Sequence, residues 1–175
     1  GGVLDALFGG LLERQAVLID AVALHAARGR EALLRDHCGP LVVTPNPGEL
    51  ASYLDCDEAR VASDPAGCAR EAAARLGAVT VCKGGETFVA APGGALLHYP
   101  GGGTGLATGG SGDVLAGIIA GLTARGAEPL TAAAWGVWLH GEAGRALAQS
   151  VGPVGFLARE LAVPVPGLML FRDSP

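Results

Sequence analysis

The residues Gly101-Gly-Gly-Thr-Gly-Leu-Ala-Thr-Gly-Gly-Ser-Gly-Asp113 combine seven glycines with one acid. Glycine lets backbone N–H groups converge on a ligand without Cβ interference. Val114, Leu115, Ile118, Ile119 and Leu122 follow at helical spacing, so the loop opens an amphipathic helix whose N-terminus adds positive partial charge. Together these features make an anion site, most often one for phosphate, although glycines used only for tight helix packing give the same pattern. Asp113 has two readings: it completes a helix N-terminus, or it is a base held beside a phosphate. Gly117 and Gly121, four apart within the helix, read as packing glycines.

Two other stretches carry chemistry. Lys83-Gly-Gly-Glu-Thr87 follows an apolar run; its lysine reads as a strand end reaching solvent or as a cation beside a nucleotide, with Thr87 donating a hydroxyl. Asn46 lies between Pro45 and Pro47, which stiffen its backbone and aim its amide; an Asx-turn accounts for it equally well. Common alternatives fail. Thr108 stands where the third glycine of a dinucleotide fingerprint beginning Gly103-Thr-Gly105 belongs, and Gly112 precedes Asp113 rather than the Lys of a Walker loop. No Gly-x-Ser-x-Gly elbow is present, and Ser111 has no evident His/Asp pair. His25, His37, His98 and His140 are scattered, and His140 reads as a packing or hydrogen-bonded residue.

Positioning these loops requires a layered sheet. Ala16–Asp20, Leu41–Thr44 and Val79–Cys82 are short apolar runs, as expected of parallel strands buried on both faces. Residues 88–91 and 95–99 read as a hairpin around Pro92-Gly-Gly94. Helices are expected over 3–13 (Val3, Leu4, Leu7, Leu11 and Leu12 on one side), over 30–36, and from Pro47 with Glu49 in its first turn. Further helices are expected over 64–76 ending at Gly77, from the glycine loop to about Arg125, over 131–149 and over 156–161. Trp135, Trp138, Leu139 and Leu147 are assigned to the apolar side of the 131–149 helix, and the Pro-rich tail from Val163 reads as extended. Alternating strands and helices indicate an α/β sheet, whose ligands lie at the carboxyl ends of the strands. The Pro45–Glu49, Lys83–Thr87 and Gly101–Asp113 loops all fall at such ends.

The 175 residues suit one domain, and the composition is half hydrophobic but only 5% aromatic, so small aliphatic residues build the core. Net charge is −5 without a basic block, which argues against nucleic acid. No uncharged apolar run reaches the ~18 residues of a spanning helix, and no signal peptide is recognisable, so a cytoplasmic setting without membrane partners is expected. Cys38, Cys56, Cys68 and Cys82 lack metal-ligand spacing and read as reduced thiols. No metal-ligand set is identified. The chain starts at Gly1 rather than Met, which reads as a processed, trimmed or partial chain.

Thr44-Pro-Asn-Pro-Gly-Glu49, Lys83-Gly-Gly-Glu-Thr87 and Ala107-Thr-Gly-Gly-Ser-Gly-Asp-Val-Leu-Ala-Gly-Ile-Ile-Ala-Gly-Leu122 resemble the ADP-dependent NAD(P)H-hydrate dehydratases. Trp135-Gly-Val-Trp-Leu-His-Gly-Glu-Ala-Gly144 and Val151-Gly-Pro-Val-Gly-Phe-Leu-Ala158 resemble that family's C-terminal part, and the likeness runs from about Val17 to Leu168. It implies a ribokinase-like α/β three-layer sandwich: a mostly parallel sheet with helices on both faces, here as a single partial domain over 1–175, truncated at its N-terminus. It also implies repair of the S-epimer of hydrated NADH or NADPH at the expense of ADP, giving AMP and phosphate. Under the resemblance, Lys83, Gly84, Gly85, Glu86, Thr87, Gly110, Ser111 and Gly112 bind ADP or ATP. Asn46 and Asp113 contact the hydrate, and Asp113 is the base. Mg2+ is an expected cofactor, a hydrate epimerase a possible partner or fused domain, and a homo-oligomer the expected assembly.

The sequence departs from the family pattern in three places. Asn46 stands for the usual His, Val22 for an acid after the first strand, and Gly103-Thr104 for Asn-Pro. A ribokinase-like small-molecule kinase of the hydroxyethylthiazole type and a non-catalytic nucleotide-binding remnant are the alternatives.

Overall fold

The computed structural model describes residues 2–10, 14–20 and 23–170. Among them, β1 (Val17–Ile19), β2 (Leu41–Val43), β3 (Val79–Cys82), β4 (Thr87–Ala90) and β5 (Leu96–Tyr99) form one sheet in sequence order. β1, β2 and β3 are parallel, and the β4–β5 hairpin extends them antiparallel through the β3–β4 pair. Sequential order with crossovers of one hand puts both sets of connecting helices on the same face. Those helices are α2 (Ala23–Ala27) and α3 (Glu31–Arg35), then α4 (Pro47–Leu54), α5 (Glu58–Ser63) and α6 (Pro65–Leu76). The helices after the hairpin, α7 (Ser111–Ala124) and α8 (Pro129–Ser150), cover the other face.

Strand periodicity explains the two cores. Leu41 and Val43 join Leu50, Tyr53, Val61, Cys68 and Leu76 on the α2–α6 side, while Val42 joins Val79, Val81, Leu115, Ile119 and Val137 on the α7–α8 side. A third cluster, Ala143, Phe156 and Leu161, packs with Leu106 and Val114 beneath the glycine loop. The result is a helix–sheet–helix sandwich, the layering that uniformly apolar strands require.

Several expectations are corrected. α2 and α5 carry no usable periodicity at five and six residues; burial of Leu24, Ala27 and Val61 holds them. The expected 156–161 helix is a 3-10 turn over Ala158–Ala162. The Pro-rich tail is not extended: it forms a short helix, α9 (Val165–Leu168), because Pro164 and Pro166 occupy the cap and first turn, where a missing N–H costs little. Trp135 and Trp138 are 39% and 37% exposed, on the outward side of α8. The inward side uses Ala132, Ala133, Gly136, Val137, Leu139, Ala143 and Gly144, so Leu139 is buried as expected; any Cβ on Gly136 would overlap Ile119, so close approach excludes a large side chain at that position. Gly117 and Gly121 do not serve packing, since a Cβ on either meets open space.

The N-terminal helix, α1 (Gly2–Gly9), is present, but residues 11–13 and the side chains of Val3, Leu4 and Leu7 lie outside the described set, as does Val22. No described helix is long and apolar enough to cross a membrane.

Candidate active site

The carboxyl ends of the three parallel strands bring together residues far apart in sequence. Asp20 follows β1, Thr44 follows β2 and Lys83 follows β3. Backbone pairing continues past the strands: Thr44 N–H donates to Ile19 O at 3.1 Å, and Lys83 N–H to Pro45 O at 2.8 Å. Asp20 Oδ1 accepts from Thr44 Oγ1 at 2.6 Å and from Lys83 Nζ at 2.7 Å. Both side chains of the ion pair are largely shielded, Lys83 at 19% and Asp20 at 17% exposure. A lysine so held is neither a free solvent lysine nor fixed by its own strand alone. Neither Asp20 nor Thr44 is among the sequence-predicted site residues; the available signals are an acid closing an apolar run and the place of Thr44 at the head of the Thr44–Glu49 motif.

Lys83 Nζ lies against the first turn of α7. A Cβ added to Gly112 would sit 3.2 Å from that nitrogen, so glycine permits the approach. Gly110 turns the chain into the helix with φ +86°, a conformation that favours glycine, and supplies no side-chain cap. The N–H groups of Gly112 and Asp113 have no hydrogen-bond partner among the described residues, whereas Ser111 N–H donates to Thr108 O at 3.2 Å. Asp113 is exposed on the same turn. Unpaired helix-terminal donors and a shielded ammonium are groups able to hold an anion such as phosphate, and the neighbouring carboxylate is one able to take a proton.

The remaining loops join this centre by contact. A Cβ on Gly101 would overlap the Gly85 carbonyl, so the Lys83–Thr87 turn and the glycine loop touch backbone to backbone. Gly102 and Gly105 pack against Gly141 and the Phe156 ring respectively, so part of the glycine content serves packing after all. Arg145 pins the loop's start, donating to Gly101 O at 2.7 Å while pairing with Glu142. Tyr99 donates to Glu142 at 3.1 Å; burial foremost, with that carboxylate, pushes its phenol up to about 12.

Gly84 lies in the Lys83–Thr87 turn; Glu86 is exposed, its carboxylate 3.1 Å from His98 Nε2 on the hairpin. Thr87 opens β4 in register with Tyr99 and is nearly buried. Asn46 caps α4 in a reciprocal box: Glu49 N–H donates to Asn46 Oδ1 and Asn46 N–H to Glu49 Oε2, both at 2.9 Å. Its amide nitrogen makes no hydrogen bond among the described residues. Ser111 points inward, its hydroxyl 2.9 Å from His140 Nε2. Burial, foremost, lowers the His140 pKa below the usual histidine value.

Residues 2–166 match the family described as NAD(P)H-hydrate dehydratase. The chain belongs to that family. The ADP-dependent (S)-NAD(P)H-hydrate dehydratase of Xanthomonas campestris is 48% identical over 153 residues, which are 87% of this chain and 51% of that protein. The bifunctional NAD(P)H-hydrate repair enzyme Nnr of Moorella thermoacetica is 44% identical over 145 residues, 82% of this chain and 27% of the relative. A crystal structure of the ADP/ATP-dependent NAD(P)H-hydrate dehydratase from Bacillus subtilis, co-crystallised with ATP/Mg2+ and soaked with CoA, superposes with a TM-score of 0.83 at 30% identity. That match covers 95% of this dehydratase-family chain and 60% of the Bacillus chain. The fold is ribokinase-like. The chain spans about half the length of the Xanthomonas relative it matches.

Proposed function

We propose that this chain carries the nucleotide half of a site that dehydrates the S-epimer of hydrated NADH or NADPH, consuming ADP and releasing AMP and phosphate. The observation that carries the reading is Lys83 Nζ held by Asp20 against the uncapped N-terminus of α7, with Asp113 on the same turn. Family membership supplies the substrate class. The adenine nucleotide would lie along the Lys83, Gly84, Gly85, Glu86 and Thr87 turn, with its terminal phosphate at Gly110, Gly112 and the Gly112 and Asp113 N–H groups.

In this reading Asp113 takes the proton of the hydrate hydroxyl, whose oxygen attacks the terminal phosphate of ADP. The bond from that phosphorus to the AMP oxygen breaks, and AMP departs. Lys83 and the α7 donors offset the charge that develops on the transferring group. The ring nitrogen lone pair then expels the phosphate ester from carbon, and loss of a proton from the neighbouring carbon restores the ring double bond. Asn46, with its amide oxygen committed to capping, offers its amide nitrogen to the hydrate.

A divalent cation fits this centre as a passenger on the phosphates. Among the described residues no three His, Cys, Asp or Glu side chains could hold a metal, and Mg2+ commonly binds through one or two carboxylates plus substrate phosphates. Carried there, it would neutralise phosphate charge. The name of the bifunctional Moorella relative supports a second repair activity as a fused domain or partner, for which a hydrate epimerase is the proposal. The outward Trp135 and Trp138 support a homo-oligomer. A cytoplasmic location accords with reduced Cys68 and Cys82.

Incubation with hydrated NADH and ADP tests the activity, with the Xanthomonas relative as positive control. Recovery of NADH in step with AMP release is expected. Unchanged hydrate, under conditions where the control turns over, overturns the reading.

A further inference from the structure

His140 stands on α8, 29 residues from Ser111, yet its Nε2 lies 3.0 Å from the Ser111 carbonyl oxygen and 2.9 Å from the Ser111 hydroxyl. A carbonyl only accepts, so Nε2 carries the hydrogen and the ring donates. Both partners are buried, His140 at 8% exposure and Ser111 at 6%. Ser111 is the first residue of α7 and immediately precedes Gly112 and Asp113. Its N–H is already given to Thr108. With the ring as donor the Ser111 hydroxyl oxygen only accepts there, so it faces His140 rather than the opening, and α7 has no side-chain cap of its own.

We infer that His140 is a positioning residue: through Ser111 it fixes the first turn of α7, so that the Gly112 and Asp113 donors and the Asp113 carboxylate face the nucleotide. Ser111 is then an anchor rather than a phosphate ligand. The inference rests on the proposed nucleotide site. Burial keeps the ring neutral and so preserves one hydrogen for one purpose, a fixed bond rather than a charge.

The experiment compares ADP binding by calorimetry, hydrate turnover and thermal unfolding for the full chain and for His140→Gln, His140→Leu and Ser111→Ala. Gln places an amide N–H near the Nε2 position, whereas Leu fills the space without a donor. His140→Leu is expected to weaken ADP binding about tenfold, the scale of one hydrogen bond to an anion, and His140→Gln to recover most of it. Ser111→Ala keeps the carbonyl acceptor and is expected to lose less ADP affinity than His140→Leu. Equal losses in His140→Leu and His140→Gln, or wild-type affinity in His140→Leu, overturn the positioning role. A tenfold loss in Ser111→Ala with His140→Leu unaffected would make Ser111 the ligand instead. Absence of ADP binding by the parent chain overturns the nucleotide site itself, a separate failure. Unfolding temperatures identify any variant whose loss is one of fold: a positioning effect persists at temperatures where each variant is fully folded.

Discussion

Two helices begin at the same end of the sheet and begin differently. α4 is closed: Asn46 and Glu49 satisfy each other's backbone N–H groups, and Pro47 removes a third donor. α7 is open: Gly110 offers no cap, and the Gly112 and Asp113 donors stay unpaired beside Lys83. A closed terminus gains stability locally and has little left for an anion. An open one forgoes a capping contribution of about 1 kcal/mol and keeps its field for a ligand. The pair shows that a helix start near strand ends is not by itself a site; what its donors already do decides.

Four changes would break or sharpen that contrast. The largest effect is expected at Asp113→Asn, which removes the proposed base and leaves the N–H donors: turnover should fall by roughly 10²–10⁴-fold while ADP affinity stays near the parent's. Calorimetry and AMP release read this, and undiminished turnover would remove Asp113 from its role. Next is Gly112→Ala. Its methyl would stand 3.2 Å from Lys83 Nζ, and displacing the ammonium should weaken ADP binding roughly ten- to hundredfold, as for one lost charge-assisted hydrogen bond. Equal ADP affinity would mean that Lys83 and α7 do not act together.

Asn46→Ala should do the opposite kind of damage. Loss of the cap lowers unfolding free energy by about 1 kcal/mol in a denaturant titration, with ADP affinity unchanged and the KM for hydrate raised. A nucleotide-binding defect there would erase the distinction between the two termini. The smallest effect is on pH. The folded-state pKa of His140 is lowered, so the unfolded chain binds more protons in the window below the ordinary value. Its stabilising contribution is therefore whole above about pH 6.5 and declines as pH falls from there toward the lowered folded value. His140→Gln should flatten that part of the stability curve.

Much of this was legible beforehand. The α7 loop announced itself because glycine density followed by 3.6-residue periodicity has few other meanings, and Asp64, Pro65 and Gly77 marked both ends of α6. β1, β2 and β3 were legible as short apolar runs, and the β4–β5 hairpin from its Pro92-Gly-Gly94 turn. α2 and α5 were not, since a helix of five or six residues shows less than two turns of pattern. The tryptophans are not legible because hydrophobic size does not fix burial; where α8 meets α7 most closely the inward residues Ala132, Ala133 and Gly136 are small, and the larger Val137 and Leu139 fill the space beside them.

What the sequence alone determined about this protein is local: the loops, the strand segments, the ends of α6, and the family to which the motifs belong. These follow from contacts within a few residues, where spacing and side-chain type suffice. Only the tertiary structure decided that Asp20 grips Lys83 across 63 positions and that His140 reaches Ser111 across 29. Those meetings depend on parallel strands pairing in one register and on α8 lying close against α7. No spacing along the chain encodes where two distant side chains will face each other once the sheet is formed.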